Sequence, residues 1–508
     1  MKIMNVLQKA IVLGAILGGA YSCIPDDHSG GGNGDPLTFT RIGGFVNGTG
    51  KEGFVEITAF DPETDKLFIV NPAASQLSVW DLSDPKSPVH LTGIPVSGTP
   101  NSVAVHDGVV AVAVENGGNP QAPGAITTYD TEDYQLLAEY TAGAMPDMVT
   151  FSPDGNYIIA ANEGEPNDDY SSDPEGSVTI VEVETGMVNQ VGFEGFTAES
   201  IGYDFRVFGP SATFSQDVEP EYIAVAKNSK TAYVTLQENN GIAIVDLTNK
   251  VISDIVGLGV KDHTLASNKI DASNKDNISG NFKNWPVYGI FMPDAITYTT
   301  IGGTPYLITA NEGDARDYKG FSEEERVKDI LLDPTVFPDA AELQKSENLG
   351  RLKITTAQGD TDGDGDYDTL YCYGGRSFTI WTTSGTLVYD SGSFIGEKTW
   401  ELQPELFNND EGKTDGRSDD KGAEPEGVEI LKIGEKTLLF VGLERTGGAM
   451  VFDISNPRSP VFLEWLRETA DVGPEGLVAV TAEDSPTGND LIIISNEVSN
   501  SVSIYEIK

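Results

Sequence analysis

One unit recurs seven times along the chain, and that recurrence restricts the fold more than any other feature of its 508 residues. Each unit opens on a polar or acidic residue, runs through a β-like strand, a turn and a second strand, and closes on Asn-Glu or a near variant. Glu56 runs to Asn71, Asn101 to Asn116 and Asp147 to Asn162, each over the same fifteen-residue spacing. The later starts are Glu221, Asp294, Glu426 and Glu475, and all but Glu56 follow a proline. A third strand-like run completes each unit, the last being Ser501 to Ile507. Successive starts lie 45, 46, 74, 73, 132 and 49 residues apart, so the basic period is that of a four-stranded propeller blade, with insertions in three units.

Stacked β-sandwiches would not impose a common register on seven segments. The pattern therefore predicts an all-β, seven-bladed β-propeller over residues 37–508, with helical and loop insertions on one face. Arg351 to Thr356 and Thr369 to Tyr373 could instead supply the inner strands of an eighth blade. The chain ends on a third strand, so Leu37 to Gly44 is expected to add the missing outer one and close the ring.

The N-terminus reads as an export signal. Lys2 and Lys9 precede an apolar run from Ala10 to Ala20, too short to span a bilayer, and the run ends in small residues before Cys23. This resembles a bacterial lipobox, which makes residues 1–22 a lipoprotein signal peptide, Cys23 the acylated first residue and 23–36 a flexible tether. The expected location is outside the cytoplasm, lipid-anchored to the outer membrane at the cell surface, with Asp26 and Asp27 resembling a surface-export signal. The lipid would be the only membrane attachment. Cys372, then the sole remaining cysteine, reads as a buried thiol.

Charge narrows the function. With 32 basic and 79 acidic residues the chain carries −47, and loss of Lys2 and Lys9 with the leader takes it to −49, which opposes nucleic acid as a partner. In an antiparallel blade the loop into the inner strand and the loop after the second strand open on the same face. One acidic ring there would comprise Glu56, Asn101, Asp147, Glu221, Asp294, Glu426 and Glu475; a second would comprise Glu115, Glu163, Glu238, Glu312, Glu444 and Glu497. The insertions Gly164–Gly176, Phe193–Val218, Lys261–Phe291, Gly313–Gly350 and Glu401–Ala423 fall in those two loop classes. Ser322-Glu-Glu-Glu325 and Asp339-Ala-Ala-Glu342 have capping-box spacing, which predicts two short helices in an ordered cap. Glu163, Glu312, Asp314, Asp419, Asp420, Glu424 and Glu426 are the candidate face site, and Arg316, Arg376 and Lys421 the cations set among them. Crowded carboxylates need such cations or metal ions. The alternative is that the recurring acids and Asn-Glu pairs only make turn hydrogen bonds and salt bridges.

Asp360, Asp362, Asp364, Asp366 and Asp368 occupy alternate positions of a loop with Gly365 at its sixth place, the spacing of an EF-hand-like calcium site. Tyr371 stands where the twelfth-position Glu would be, so a carboxylate from elsewhere is expected to complete the shell. The four histidines share no ligand spacing, and no Ser-His-Asp or zinc arrangement is apparent.

Asn162-Glu-Gly-Glu-Pro, Asn311-Glu-Gly-Asp-Ala-Arg-Asp-Tyr, the Asp360–Asp368 loop with Gly-Gly-Arg376-Ser-Phe, and Ser418-Asp-Asp-Lys-Gly-Ala-Glu-Pro-Glu-Gly-Val428 together resemble the choice-of-anchor I bacterial surface propellers. These carry YVTN-type repeats and labels such as mesenchyme-specific cell surface glycoprotein-like or alkaline-phosphatase-like. The resemblance implies a propeller held at the surface. The favoured expectation is a monomer that binds a ligand, glycan or protein on its decorated face. A competing expectation is a calcium-dependent phosphoesterase similar to propeller phytases. There, calcium on Glu312, Asp314, Glu424 and Glu426 would activate water while Arg316, Arg376 and Lys421 steady phosphate oxygens.

Overall fold

The computed structural model describes residues 36–50, 53–202 and 205–508; Cys23, the leader and the tether lie outside them. Seven four-stranded antiparallel sheets form, each of four strands consecutive along the chain except the fifth, which is interrupted by an insertion, and the seventh. The inner strands Thr58–Asp61, Thr99–His106, Pro146–Phe151, Pro220–Val225, Ile296–Ile301, Pro425–Ile433 and Pro474–Val480 neighbour one another in that order, and the last returns to the first. The ring is closed as expected. Phe39–Val46 pairs with Ser501–Ile507 as the outer strand of the seventh sheet, and Thr38 and Lys508 exchange backbone hydrogen bonds of 2.7 and 3.1 Å.

Each sheet packs between two others, so its second and third strands are buried on both faces. Leu67, Phe68, Ile69 and Val70 are all fully buried, as are Leu438 to Val441. That is why these strands read as unbroken apolar runs and not as alternating ones. Outer strands such as Leu136–Ala144 return to solvent over their first six residues.

The segments that would have built an eighth blade do not. Lys353–Thr355 pairs with Glu324–Arg326, and Tyr371–Cys372 joins Val260–Asp262 and Tyr288–Ile290 in a small mixed sheet. They belong to a cap with its own apolar core, which gathers Trp285, Val327, Leu332, Phe337, Leu352 and Cys372 from two insertions. The Cys372 thiol is buried there and burial pushes its pKa up.

The helices of the cap differ from the expected ones. Ser322 to Glu325 is extended, because the Glu323 carboxylate is buried against Arg206 and Thr355 and does not fold back on the chain. Ala340–Leu343 is helical, yet Asp339 makes no side-chain cap. Reciprocal capping boxes instead open Ala198–Ile201, from Thr197 and Ser200, and Phe214–Asp217, from Thr213 and Gln216. Among the described residues no helix is long and apolar enough to cross a membrane.

Candidate functional site

The recurring proline has a mechanical role. In five sheets the pairing register shifts just after it, at Pro100, Pro146, Pro220, Pro425 and Pro474, leaving the next residue in a β-bulge. Proline lacks the N–H that a regular ladder would need, and a bulged residue is re-aimed out of the sheet. The residue before the proline is left-handed in four units: Met145 (φ 49°), Met292 (φ 44°), Glu424 (φ 53°) and Gly473 (φ 71°). The acid after the proline thereby turns towards the axis of the ring.

The axis holds a cavity of about 250 Å³ lined by Glu56, Asn101, Asp147, Asp294, Glu426 and Glu475, with Tyr222 beside Glu221. Five carboxylates and no Lys or Arg form this wall. Burial, then neighbouring acids, raises their pKa values. Glu56 is pushed up to about 9, with Glu475, Glu497 and Asp147 adding to burial. Glu475 rises to about 8 and Asp147 to about 7. Glu221, Asp294 and Glu426 are held well above the carboxylate range by the same causes. One buried oxygen of Glu221 and one of Glu426 have no hydrogen-bond partner.

The Asn of the recurring Asn-Glu does something else. Asn162 Nδ2 donates to Ser177 Oγ (3.1 Å) and Thr179 Oγ1 (2.9 Å), and Asn311 Nδ2 to Ser377 Oγ (3.1 Å) and Thr379 Oγ1 (2.7 Å). Asn71 and Asn496 make equivalent bonds in their sheets. These amides tie the second strand to the third, so this half of the motif builds the blade. The adjoining Glu163 sits with Asp147, Glu165, Glu238 and Glu219 and is held well above its ordinary range, chiefly by burial.

The rest of the candidate face site is neutralised by cations from the insertions. Asp419 accepts from Arg326 (2.7 Å) and Arg351 (2.8 Å), and Asp420 from Arg417 (2.9 Å) and Lys353 (3.0 Å). Lys421 Nζ lies 2.6 Å from Glu312, 3.4 Å from Asp314 and 3.7 Å from Glu424. Burial opposes the charge on Glu424, yet Lys421, Arg417 and Arg445 hold it below the ordinary glutamate range. Glu312, Glu424 and Glu444 bring oxygens within 4.8 Å of one another.

The other two candidate catalytic cations are, like Lys421, engaged by the protein itself. Arg316 is buried and donates to the Asp217 carboxylate (2.6 Å) and carbonyl (2.6 Å), with Glu219 at 3.2 Å. Arg376 is buried and donates to the carbonyls of Asp271 (2.9 Å), Ser418 (3.1 Å) and Asp420. Both guanidinium groups are thus held chiefly by acceptors of the chain itself. Asp217, Glu219 and the buried Arg206–Glu323 pair carry no signal in the sequence, since their ion-pair partners lie 97 or more residues away.

In the aspartate loop, Asp360, Asp362 and Asp368 converge within 4.8 Å, and Asp333 joins Asp366 and Asp368 in a second trio. Asp333 is carried to the loop by the cap segment, where its N–H bonds Tyr367 O at 3.1 Å. Tyr371 lies instead in the small cap sheet.

Fold and face together define a closed β-propeller with an ordered cap and an acidic axial cavity. The choice-of-anchor I domain family matches residues 56–457, and the chain belongs to it. It is 29% identical to Gigasin-3a of Magallana gigas over 192 residues, covering 33% of this chain and 67% of that protein. It is 27% identical to the mesenchyme-specific cell surface glycoprotein of Strongylocentrotus purpuratus over 333 residues, covering 58% of this chain but 41% of that protein. The chain thus spans less than half the length of the sea-urchin relative. Among solved structures, Kuenenia stuttgartiensis hydrazine synthase is similar with a TM-score of 0.50 at 13% identity, over 91% of this chain and 98% of that one, a likeness of fold alone.

Proposed function

We propose that this chain is a surface-held propeller that binds a ligand or partner, glycan or protein, on its insertion-bearing face, with calcium as the cation that completes the acidic axis. The carrying observation is a cavity walled by five carboxylates and no basic side chain. Such a wall must be protonated or must hold a cation, and a hard oxygen-rich site suits calcium, which leaves coordination positions for ligand oxygens. A second calcium in the aspartate loop, with Asp333 adding the carboxylate that the loop lacks, would staple the cap. Surface location is supported by the family's name and by that of the sea-urchin relative; acylation at Cys23 would supply the attachment.

Calcium titration by calorimetry tests this. Asp360→Ala with Asp362→Ala should remove one class of site, and Glu426→Gln with Glu475→Gln the other. Unchanged calcium uptake in the second variant would sink the axial reading. The phosphoesterase reading has the Glu312, Glu424 and Glu444 trio in its favour. Calcium-dependent turnover of p-nitrophenyl phosphate or phytate, abolished by chelation, would put it first.

A further inference from the structure

The capped face also holds a cavity of about 420 Å³, apart from the axis, between the sixth and seventh sheets and the insertion that precedes the sixth. Its wall combines aliphatic Leu406, Val472 and Val498 with Arg445, Arg467 and Thr446. The size suits a small organic ligand.

Arg467 stands apart from the other cations of this face. It lines the cavity and forms no ion pair within 4 Å among the described residues, the acids that act on it being Glu405 and Asp471. Its Nε donates to Thr446 O (3.3 Å) and one terminal nitrogen to Gln403 Oε1 (3.5 Å); no bond is made by the other. The nearby Asp471 is engaged elsewhere, by Arg41 (3.2 Å), Ser501 (2.9 Å) and Ser503. Thr446 is 2% exposed, and its hydroxyl has no hydrogen-bond partner. Glu405 and Asp471 act on the half-buried guanidinium without forming an ion pair with it, and its central carbon lies 5.9 Å from the centre of the Trp465 ring. One terminal nitrogen of Arg467 is thus left for a ligand's oxygen, at the wall of the cavity.

We infer that this cavity is a binding site for a small aliphatic carboxylate, the carboxylate on Arg467 and the alkyl part against Leu406, Val472 and Val498. A dianion such as phosphate is disfavoured, because Glu411 and Glu444 also border the cavity, Arg445 is already paired with Glu424 (3.2 Å) and Glu444 (3.0 Å), and the remaining guanidinium balances one charge. The inference rests on the reading that this face binds ligands, but not on calcium at the axis.

The test is calorimetric titration of the full chain with hexanoate, N-acetyl-leucine and N-acetyl-leucinamide. At least one of the two acids should bind, and the neutral amide should bind about ten-fold or more weakly, as expected on losing a charge-assisted bond. Tighter binding of hexanoate points to free fatty acids, and of N-acetyl-leucine to peptide C-termini; both outcomes support the site. Arg467→Gln should lose binding. Val498→Asp, at an exposed position where folding is not at risk, should lose it by placing a carboxylate in the wall. Equal affinity for the amide, undiminished binding by folded Arg467→Gln, or no binding of either acid overturns the inference. Glu426→Gln with Glu475→Gln should bind the acids normally. If acids fail to bind while axial calcium uptake persists, this site alone falls; the reverse result sinks the axial reading alone.

Discussion

Lys421 Nζ lies 2.6 Å from Glu312 Oε1, joining the insertion before the sixth blade to the end of the fifth blade's second strand. The ammonium is almost wholly buried and also faces Asp314 and Glu424, so it neutralises a group of acids and not one partner. Lys421→Met should therefore destabilise the chain by about 3–5 kcal/mol at pH 7, since it leaves buried carboxylates unpaired. The cost should shrink as pH falls towards 5 and Glu312, already raised by burial, takes up a proton. Thermal melts at the two pH values check both statements; an equal loss at each would refute the account.

The axial acids give stability a definite pH dependence. Glu56 (about 9), Glu475 (about 8) and Asp147 (about 7) are raised above their unfolded values. The folded chain then keeps protons that the unfolded chain has released, so in chelator stability should fall as pH rises from about 5 to 9. The slope is at most about 1.4 kcal/mol per pH unit for each group, less where water screens it. Glu475→Gln should raise the melting temperature at pH 9 and change it little at pH 5. Millimolar calcium should flatten the wild-type profile; a flat profile in chelator would contradict the picture.

Asp419 ties two cap segments by accepting from Arg326 and Arg351. Asp419→Ala should cost about 2–3 kcal/mol, the lower side of the range for a broken buried pair because both arginines are partly exposed. The loss should be local. Limited proteolysis should cut faster within residues 313–376, while cleavage within the blades stays unchanged.

Closure of the ring rests on Phe39–Val46. Removing residues 37–46 would leave Ser501–Ile507 as an open edge strand, with Val502, Ile504 and Tyr505 no longer covered. Light scattering during refolding should reveal aggregation that the intact chain does not show.

The blades were legible because their information is local. Apolar runs, turns, the proline before six of the seven starts and the Asn that closes most second strands recur in register, and each acts within one sheet or the next. The acid-bearing bulges follow from the same prolines. The cap was legible only as insertions. Its helices were misplaced because Ser322 and Asp339 match a capping pattern whose use depends on tertiary surroundings, and Glu323 is drawn away to Arg206, 117 residues distant in the chain. Arg316 and Arg376 resembled ligand-binding cations for a similar reason: a motif shows the charge but not its acceptors.

Glu424 and Glu426 show where the division lies. Their composition, repeat position and place beside Pro425 are set by the chain itself, as is the acidic excess that makes some carboxylates short of partners. Which of the two receives cations is a matter of folding. Glu424, left-handed before the proline, meets Lys421, Arg417 and Arg445 and stays ionised. Glu426, two residues on and turned by the bulge, meets Glu475, Glu444, Glu312 and Asp294. Electrostatic energy depends on separation in space, and only the closed ring with its cap brings those distant charges within range.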